Sequence, residues 1–197
     1  MIEFKVKSIK ICFHFSFFAI IALLLLMENH RYALYGLYAC IIHELGHLMM
    51  MQTLGVKTDK IVFYGAGIKI VIKQESILSF GKDILILISG CIINFITFGV
   101  FWLLAFEKEQ LLVFATINLL IGVFNLLPLK CFDGGKIIDL LIDKFLSQQK
   151  IPFAKLLVKI LCMVLLSIIL IIFIINKNTN FTLYVTLLYF LFSAMLL

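Results

Sequence analysis

The sequence predicts an all-α polytopic membrane protein, with about six transmembrane helices and a small β-hairpin between spans two and three. Three observations predict it. The 197 residues are 63% hydrophobic and 14% charged, against roughly 45–50% apolar and about 25% charged in soluble domains. Mean hydropathy is +1.16. The apolar residues fall into six runs separated by polar breaks, and about 20 apolar residues cross a bilayer as a helix. Surface-to-volume scaling leaves no way to hide so much apolar surface by folding in water. That excludes a water-soluble enzyme, a disordered chain and a fibrous protein. The net charge of +6 needs no nucleic acid to explain it, because Lys and Arg of membrane proteins mark the cytoplasmic side.

The first span is read at 11–27. Lys5, Lys7 and Lys10 precede it like the start of a signal peptide. The run ends Leu-Leu-Leu-Leu-Met-Glu-Asn-His, without small residues for cleavage, so an uncleaved span is expected. The second span, about 32–54, holds the polar motif discussed below. In the connection at 55–77, Lys60–Tyr64 and Ile68–Lys73 are β-rich runs around Gly65-Ala66-Gly67, which reads as a hairpin. It is either an interfacial flap or an edge strand open to an extended peptide.

Spans three and four are read at about 78–105 and 110–128. Between Gly134 and Gln149, Ile137, Ile138, Leu141, Ile142 and Phe145 share one helical stripe, and Asp139, Asp143 and Lys144 lie off it. That is an amphipathic helix at the inner interface. Spans five and six are read at about 154–175 and 181–197. With the N-terminus inside, fourteen of the seventeen cations fall on inner segments, and only Arg31, Lys108 and Lys177 on outer ones. The bias supports both the orientation and the span count. The expectation is a single domain over 1–197, without a PDZ or CBS domain, crossing a bacterial cytoplasmic membrane several times. Cys12, Cys40, Cys91, Cys131 and Cys162 form no CxxC pair. They read as small buried hydrophobes rather than a disulfide framework.

Inside the second run stands His43-Glu44-Leu45-Gly46-His47. Ionisable groups within a span are costly and mark function. Residues i and i+4 share a helix face, so His43 and His47 can present imidazole nitrogens to one metal ion. Glu44 can reach that ion's water without ligating the metal, and Gly46 lets another backbone approach. The alternative is a polar patch satisfied by neighbouring spans. A catalytic zinc site needs a third protein ligand. His14 and His30 lie near span ends and read as ordinary interfacial histidines. Asp133 follows Asn125-Leu126-Leu127-Pro128-Leu129-Lys130-Cys131-Phe132 and precedes Gly134-Gly135. Pro128 breaks the fourth helix, and the paired glycines permit unusual backbone angles. Asp133 then falls at the depth of His43 and His47. It could also serve as N-cap of the following helix.

HELGH in a span, followed by NxxPxxxxDG (Asn125, Pro128, Asp133, Gly134), resembles the site-2 protease family of intramembrane zinc metalloproteases. Lys10-Ile11-Cys12-Phe13-His14 and the Gly65–Gly67 hairpin resemble its sporulation group, which processes pro-sigma-K. The family's Gly-Pro at the start of the third span is Gly90-Cys91 here, with Asn94 at the usual offset. The resemblance implies one Zn2+ per chain held by His43, His47 and Asp133, with Glu44 as catalytic base. Gly46, Pro128 and Gly134 are then structural. Asn125 either donates to the substrate carbonyl or oxyanion or ties the kinked fourth span together.

The implied reaction is hydrolysis of a peptide bond in a membrane-associated or single-span protein near the cytoplasmic face. The expected partners are that substrate, the lipid bilayer and, as an open option, a regulatory membrane protein, with no nucleic acid. Three rival readings stand beside it. A CAAX-type membrane protease would draw a Glu ligand from Glu75. A metal transporter would spread polar residues over several spans. A catalytically silent metal-binding scaffold would have no need of Glu44.

Overall fold

Residues 2–6 alternate apolar and polar side chains, and in the computed structural model residues 2–6 and 9–13 form two strands rather than the lead-in to a span. The structure describes residues 2–6, 9–26, 30–64, 67–73, 78–106, 108–176, 184, 187, 188, 191 and 192. The chain divides into two compact units, Met1–Phe124 and Asn125–Leu197.

In the first unit, β1 (Ile2–Val6) pairs antiparallel with β2 (Ile9–Phe13). β2 runs parallel to β3 (Thr58–Tyr64), which pairs antiparallel with β4 (Gly67–Ile72). The expected hairpin is therefore half of a four-stranded sheet ordered β1-β2-β3-β4, although Gly65 and Ala66 lie outside the described residues. Cross-strand partners share a face, so the register gives the sheet two unlike sides. Ile2, Phe13, Phe63 and Ile68 form one apolar row, and Phe4, Ile11, Ile61 and Ile70 form another. On the opposite face Lys5, Lys10 and Lys60 stand in one row. The apolar side stacks Phe13 on Phe63 with ring centroids 4.5 Å apart.

The first expected span is corrected here. Ile11–Phe13 belong to β2, and the helix that follows, α1, is Phe15–Leu25, only 11 residues. At 1.5 Å per residue it covers about half of a ~30 Å hydrocarbon core. The reason is pairing: Ile11, Cys12 and Phe13 find strand partners in β3, and the His14 N–H donates to the Phe63 carbonyl at 2.9 Å. Phe17 and Phe18 of α1 then close over Phe13.

Helix α2 (His30–Thr53) ends at Gly55, whose φ of +70° is the left-handed conformation that stops helices. It packs along α3 (Phe80–Leu104), which is followed by α4 (Glu109–Asn125). Met51, Val56 and Ile86 make a core beneath Ile70 and Ile72 of the sheet. The sheet therefore sits where α2 ends and α3 begins.

The second unit opens with a turn over 126–132, then α5 (Asp133–Phe145) and α6 (Ile151–Ile175). Helix α5 is the expected amphipathic helix. Ile142 is buried on its stripe, and the exposed Asp143 pairs with Lys155 at 2.8 Å. Leu129, Cys162, Leu166 and Leu187 form this unit's core. Most of the run at 181–197 lies outside the described residues, but Tyr184 donates its hydroxyl to the Phe173 carbonyl at 2.9 Å. Helices α3 and α6, at 25 residues each, are long and apolar enough to cross a membrane, and α4 is a shorter apolar helix.

Candidate metal centre

The HELGH segment lies wholly within α2, so its helical spacing is real. His43 and His47 are buried, with ring centroids 4.7 Å apart. Each ring is held from its far side. His43 Nδ1 lies 2.8 Å from Asn94 Oδ1, and His47 Nδ1 lies 2.6 Å from the Ile86 carbonyl. Both partners accept, so each Nδ1 carries the proton and each Nε2 is the basic nitrogen. The two Nε2 atoms stand 3.1 Å apart. Two lone-pair nitrogens converge in a buried site only around shared positive charge, a proton or a metal ion. Fixing Nδ1–H on an outer acceptor is how metal-ligating histidines are oriented.

Two glycines make room for the rings. A Cβ on Gly90 would lie 2.6 Å from His47 Nε2 and 2.7 Å from His43 Cε1. A Cβ on Gly46 would lie 2.7 Å from the Ser89 carbonyl oxygen and 3.1 Å from Gly90 Cα. Gly46 thus lets the α3 backbone approach, as its place in the motif predicts, and Gly90 leaves the space the imidazoles fill. Glu44 is half-buried on α2 beside His43.

In the second unit, α4 ends at Asn125, three residues before Pro128, whose ring cannot continue a helix. The turn closes with the Phe132 N–H donating to the Leu129 carbonyl at 2.8 Å, and Cys162 of α6 donates its thiol to the Pro128 carbonyl at 3.0 Å. Two expectations change here. Asp133 is not the N-cap. That position is Phe132, and Asp133 is the first helical residue, buried, with Oδ1 2.8 Å from Lys136 Nζ. Gly134 and Gly135 do not adopt unusual angles; among the described residues the positive-φ glycines are Gly55 and Gly67. They are needed for close approach instead. A Cβ on Gly134 would meet the Leu126 carbonyl, and one on Gly135 the Leu129 carbonyl. Asn125 is half-buried at the end of α4.

His14 is exposed at the β2–α1 junction. The side chain of His30 and the whole of Glu75 lie outside the described residues. Cys12, Cys91 and Cys162 are buried as expected, whereas Cys40 and Cys131 are exposed. Two partners of the site were not foreseen from the sequence: Asn118, which bonds to Asn94 at 3.0 Å, and the Ile86 carbonyl behind His47. An amide in an apolar run was the available signal for Asn118. A backbone carbonyl leaves no signal in the sequence.

Residues 107–172 match the model of peptidase family M50. That stretch contains Asn125, Pro128, Asp133 and Gly134 but not HELGH. A zinc metalloprotease of Methanocaldococcus jannaschii is 28% identical over 169 residues, covering 75% of this chain and 48% of the relative. Stage IV sporulation protein FB of Bacillus subtilis is 29% identical over 139 residues, covering 68% of this chain and 48% of the relative. The chain thus spans about half the length of the curated relatives it matches. The solved site-2 protease from Methanocaldococcus jannaschii superposes with a TM-score of 0.67 at 22% identity, over 98% of this chain and 93% of that one. That likeness shows the fold, and the resemblance drawn from the two motifs is borne out.

Proposed function

We propose that the protein is an intramembrane zinc metalloprotease that hydrolyses a peptide bond of a membrane-associated or single-span protein near the cytoplasmic face. The observation that carries the reading is the pair of basic Nε2 atoms 3.1 Å apart, each ring fixed through Nδ1. His43, His47 and Asp133, all buried, are the proposed ligands of one zinc ion, and their two imidazoles and one carboxylate suit it. When bound, zinc supplies a Lewis acid that brings the pKa of water to about 7. Glu44 takes the proton of the attacking water and passes it to the leaving amine. Asn125 donates its amide N–H to the substrate carbonyl oxygen as negative charge develops there. A peptide bond inside a helix is shielded by its own hydrogen bonds, so the substrate must unwind locally at the cleavage point. The orientation proposed from the lysine distribution puts the N-terminus and the 126–132 turn on the cytoplasmic side of a multi-pass protein. The likeness to a sporulation protein supports a narrower proposal, processing of a pro-sigma factor.

The test is Glu44→Gln, co-expressed with a candidate membrane substrate and assayed for both cleavage and bound metal. The expected result is cleavage abolished and one zinc per chain retained. Unchanged cleavage would overturn Glu44 as the base. A wild type that holds zinc but cleaves no membrane substrate would favour a silent scaffold.

A further inference from the structure

We propose that Asn118 acts as a positioning residue that sets the tautomer of His43 through Asn94, so that Nε2 rather than Nδ1 is the metal-facing nitrogen. The proposal deepens the zinc-protease reading and rests on it. Asn94 of α3 and Asn118 of α4 are both 0% exposed. A side-chain amide sealed among apolar groups must have both its donors and its acceptor matched. Asn94 Nδ2 donates to the Ala39 carbonyl at 3.1 Å and to Asn118 Oδ1 at 3.0 Å. Asn118 Nδ2 donates in turn to the Phe114 carbonyl at 2.9 Å. Ala39 and Phe114 end this chain of bonds with backbone carbonyls, which can only accept. The sense of every bond between them is therefore fixed. Asn118 must turn its oxygen to Asn94, and Asn94 must turn its oxygen to His43 Nδ1 at 2.8 Å. A reversed Asn94 amide would aim Nδ2 at Nδ1 and drive the imidazole proton onto Nε2, which then could not ligate. The Ala39 carbonyl alone is one of the two locks, and Asn118 is the other.

The experiment compares wild type, Asn118→Leu and Asn118→Asp, each purified in lipid and checked by circular dichroism. Leucine has the same number of side-chain heavy atoms, branched at the same carbon, and no acceptor. Aspartic acid, neutral inside the bilayer, keeps an oxygen for Asn94 and an O–H for the Phe114 carbonyl. Asn118→Leu is expected to weaken zinc binding about tenfold, as loss of an outer-shell partner does, and to alter the visible bands of the cobalt-substituted protein. In the metal-free protein, 15N solid-state NMR of labelled histidine should show Nδ1–H at His43 in wild type and an Nε2–H fraction in Asn118→Leu. The signal is assigned by its loss in His43→Gln. Asn118→Asp should restore affinity and tautomer, which mere filling of volume would not do. If Asn118→Leu does not fold, Asn118→Ser carries the same expectation, because its short hydroxyl satisfies the Phe114 carbonyl without reaching Asn94. A folded variant without the acceptor that binds zinc as tightly as wild type and keeps Nδ1–H would overturn the proposal and leave the zinc reading standing. A wild type that binds no zinc would overturn that reading instead, and the NMR comparison would still decide the tautomer.

Discussion

The glycines around the two imidazoles tie ligation to stability. At Gly90 an added methyl meets only the tips of two side chains, 2.6–2.7 Å away. The rings can swing without a backbone shift, but each is tethered through Nδ1 and cannot move without breaking that buried bond. Gly90→Ala is therefore expected to lower the melting temperature modestly, at about 1–3 kcal/mol for a buried polar group left unmatched, and to lose bound zinc, measured as metal per chain. Gly99 lies in the same helix with nothing within 4 Å of its missing Cβ. Gly99→Ala should raise stability by about 0.5–1 kcal/mol, the usual helix gain, with zinc unchanged. Equal zinc loss in both variants would refute the steric account. The residues legible in the sequence are those whose chemistry is local: His43, Glu44 and His47 are a helical pattern five residues long. Asn94 stands 51 positions from His43 and the Ile86 carbonyl 39 from His47. Such partners become visible only once α2 and α3 are packed together.

At the scale of elements, the N-terminal strands were hidden by their lysines rather than by lack of pattern. Ile2-Glu3-Phe4-Lys5-Val6 alternates with period two as cleanly as β4, but cations ahead of an apolar run also fit a membrane lead-in. What decides is the parallel pairing of β2 with β3, a non-local contact that crosses two intervening helices. That sheet carries its own test. Lys5, Lys10 and Lys60 are directly opposed, and like charges so placed are destabilising. Lys60→Thr should stabilise the fold by a few tenths of a kcal/mol, and the gain should shrink as salt is added. A salt-independent change would point to packing instead. In the second unit, Gly134 lets α5 begin against the turn. The atom a Cβ there would strike is a backbone carbonyl, which cannot swing aside. Gly134→Ala should therefore lower the melting temperature, in line with the 1–3 kcal/mol typical of overpacking. It should also lower zinc content, because Asp133 moves with the first turn of α5. An unchanged melting curve would contradict the close approach.

The molecule's exterior shows why composition was so informative about the whole. Val164, Leu165, Ile168, Ile171 and Ile172 of α6 are each about half exposed, and Leu103 and Leu104 of α3 more so. Apolar surface on this scale needs lipid as solvent, which the 63% hydrophobic content already implied. The number of crossings was less legible, because an apolar run does not declare whether it becomes a helix or a strand, and Ile11–Phe13 became a strand. The proposed orientation can be read from two cysteines. Cys131 is exposed in the turn between α4 and α5, whereas Cys40 is exposed midway along α2. Thiols react as thiolates, which form in water and not in hydrocarbon. A charged, membrane-impermeant maleimide should label Cys131 in inside-out vesicles and leave it untouched in right-side-out ones. Cys40 should resist that reagent on both sides, and Cys12, Cys91 and Cys162 should react only after denaturation. Cys131→Ser should abolish the inside-out signal. Labelling of Cys131 from the outer side would reverse the proposed orientation.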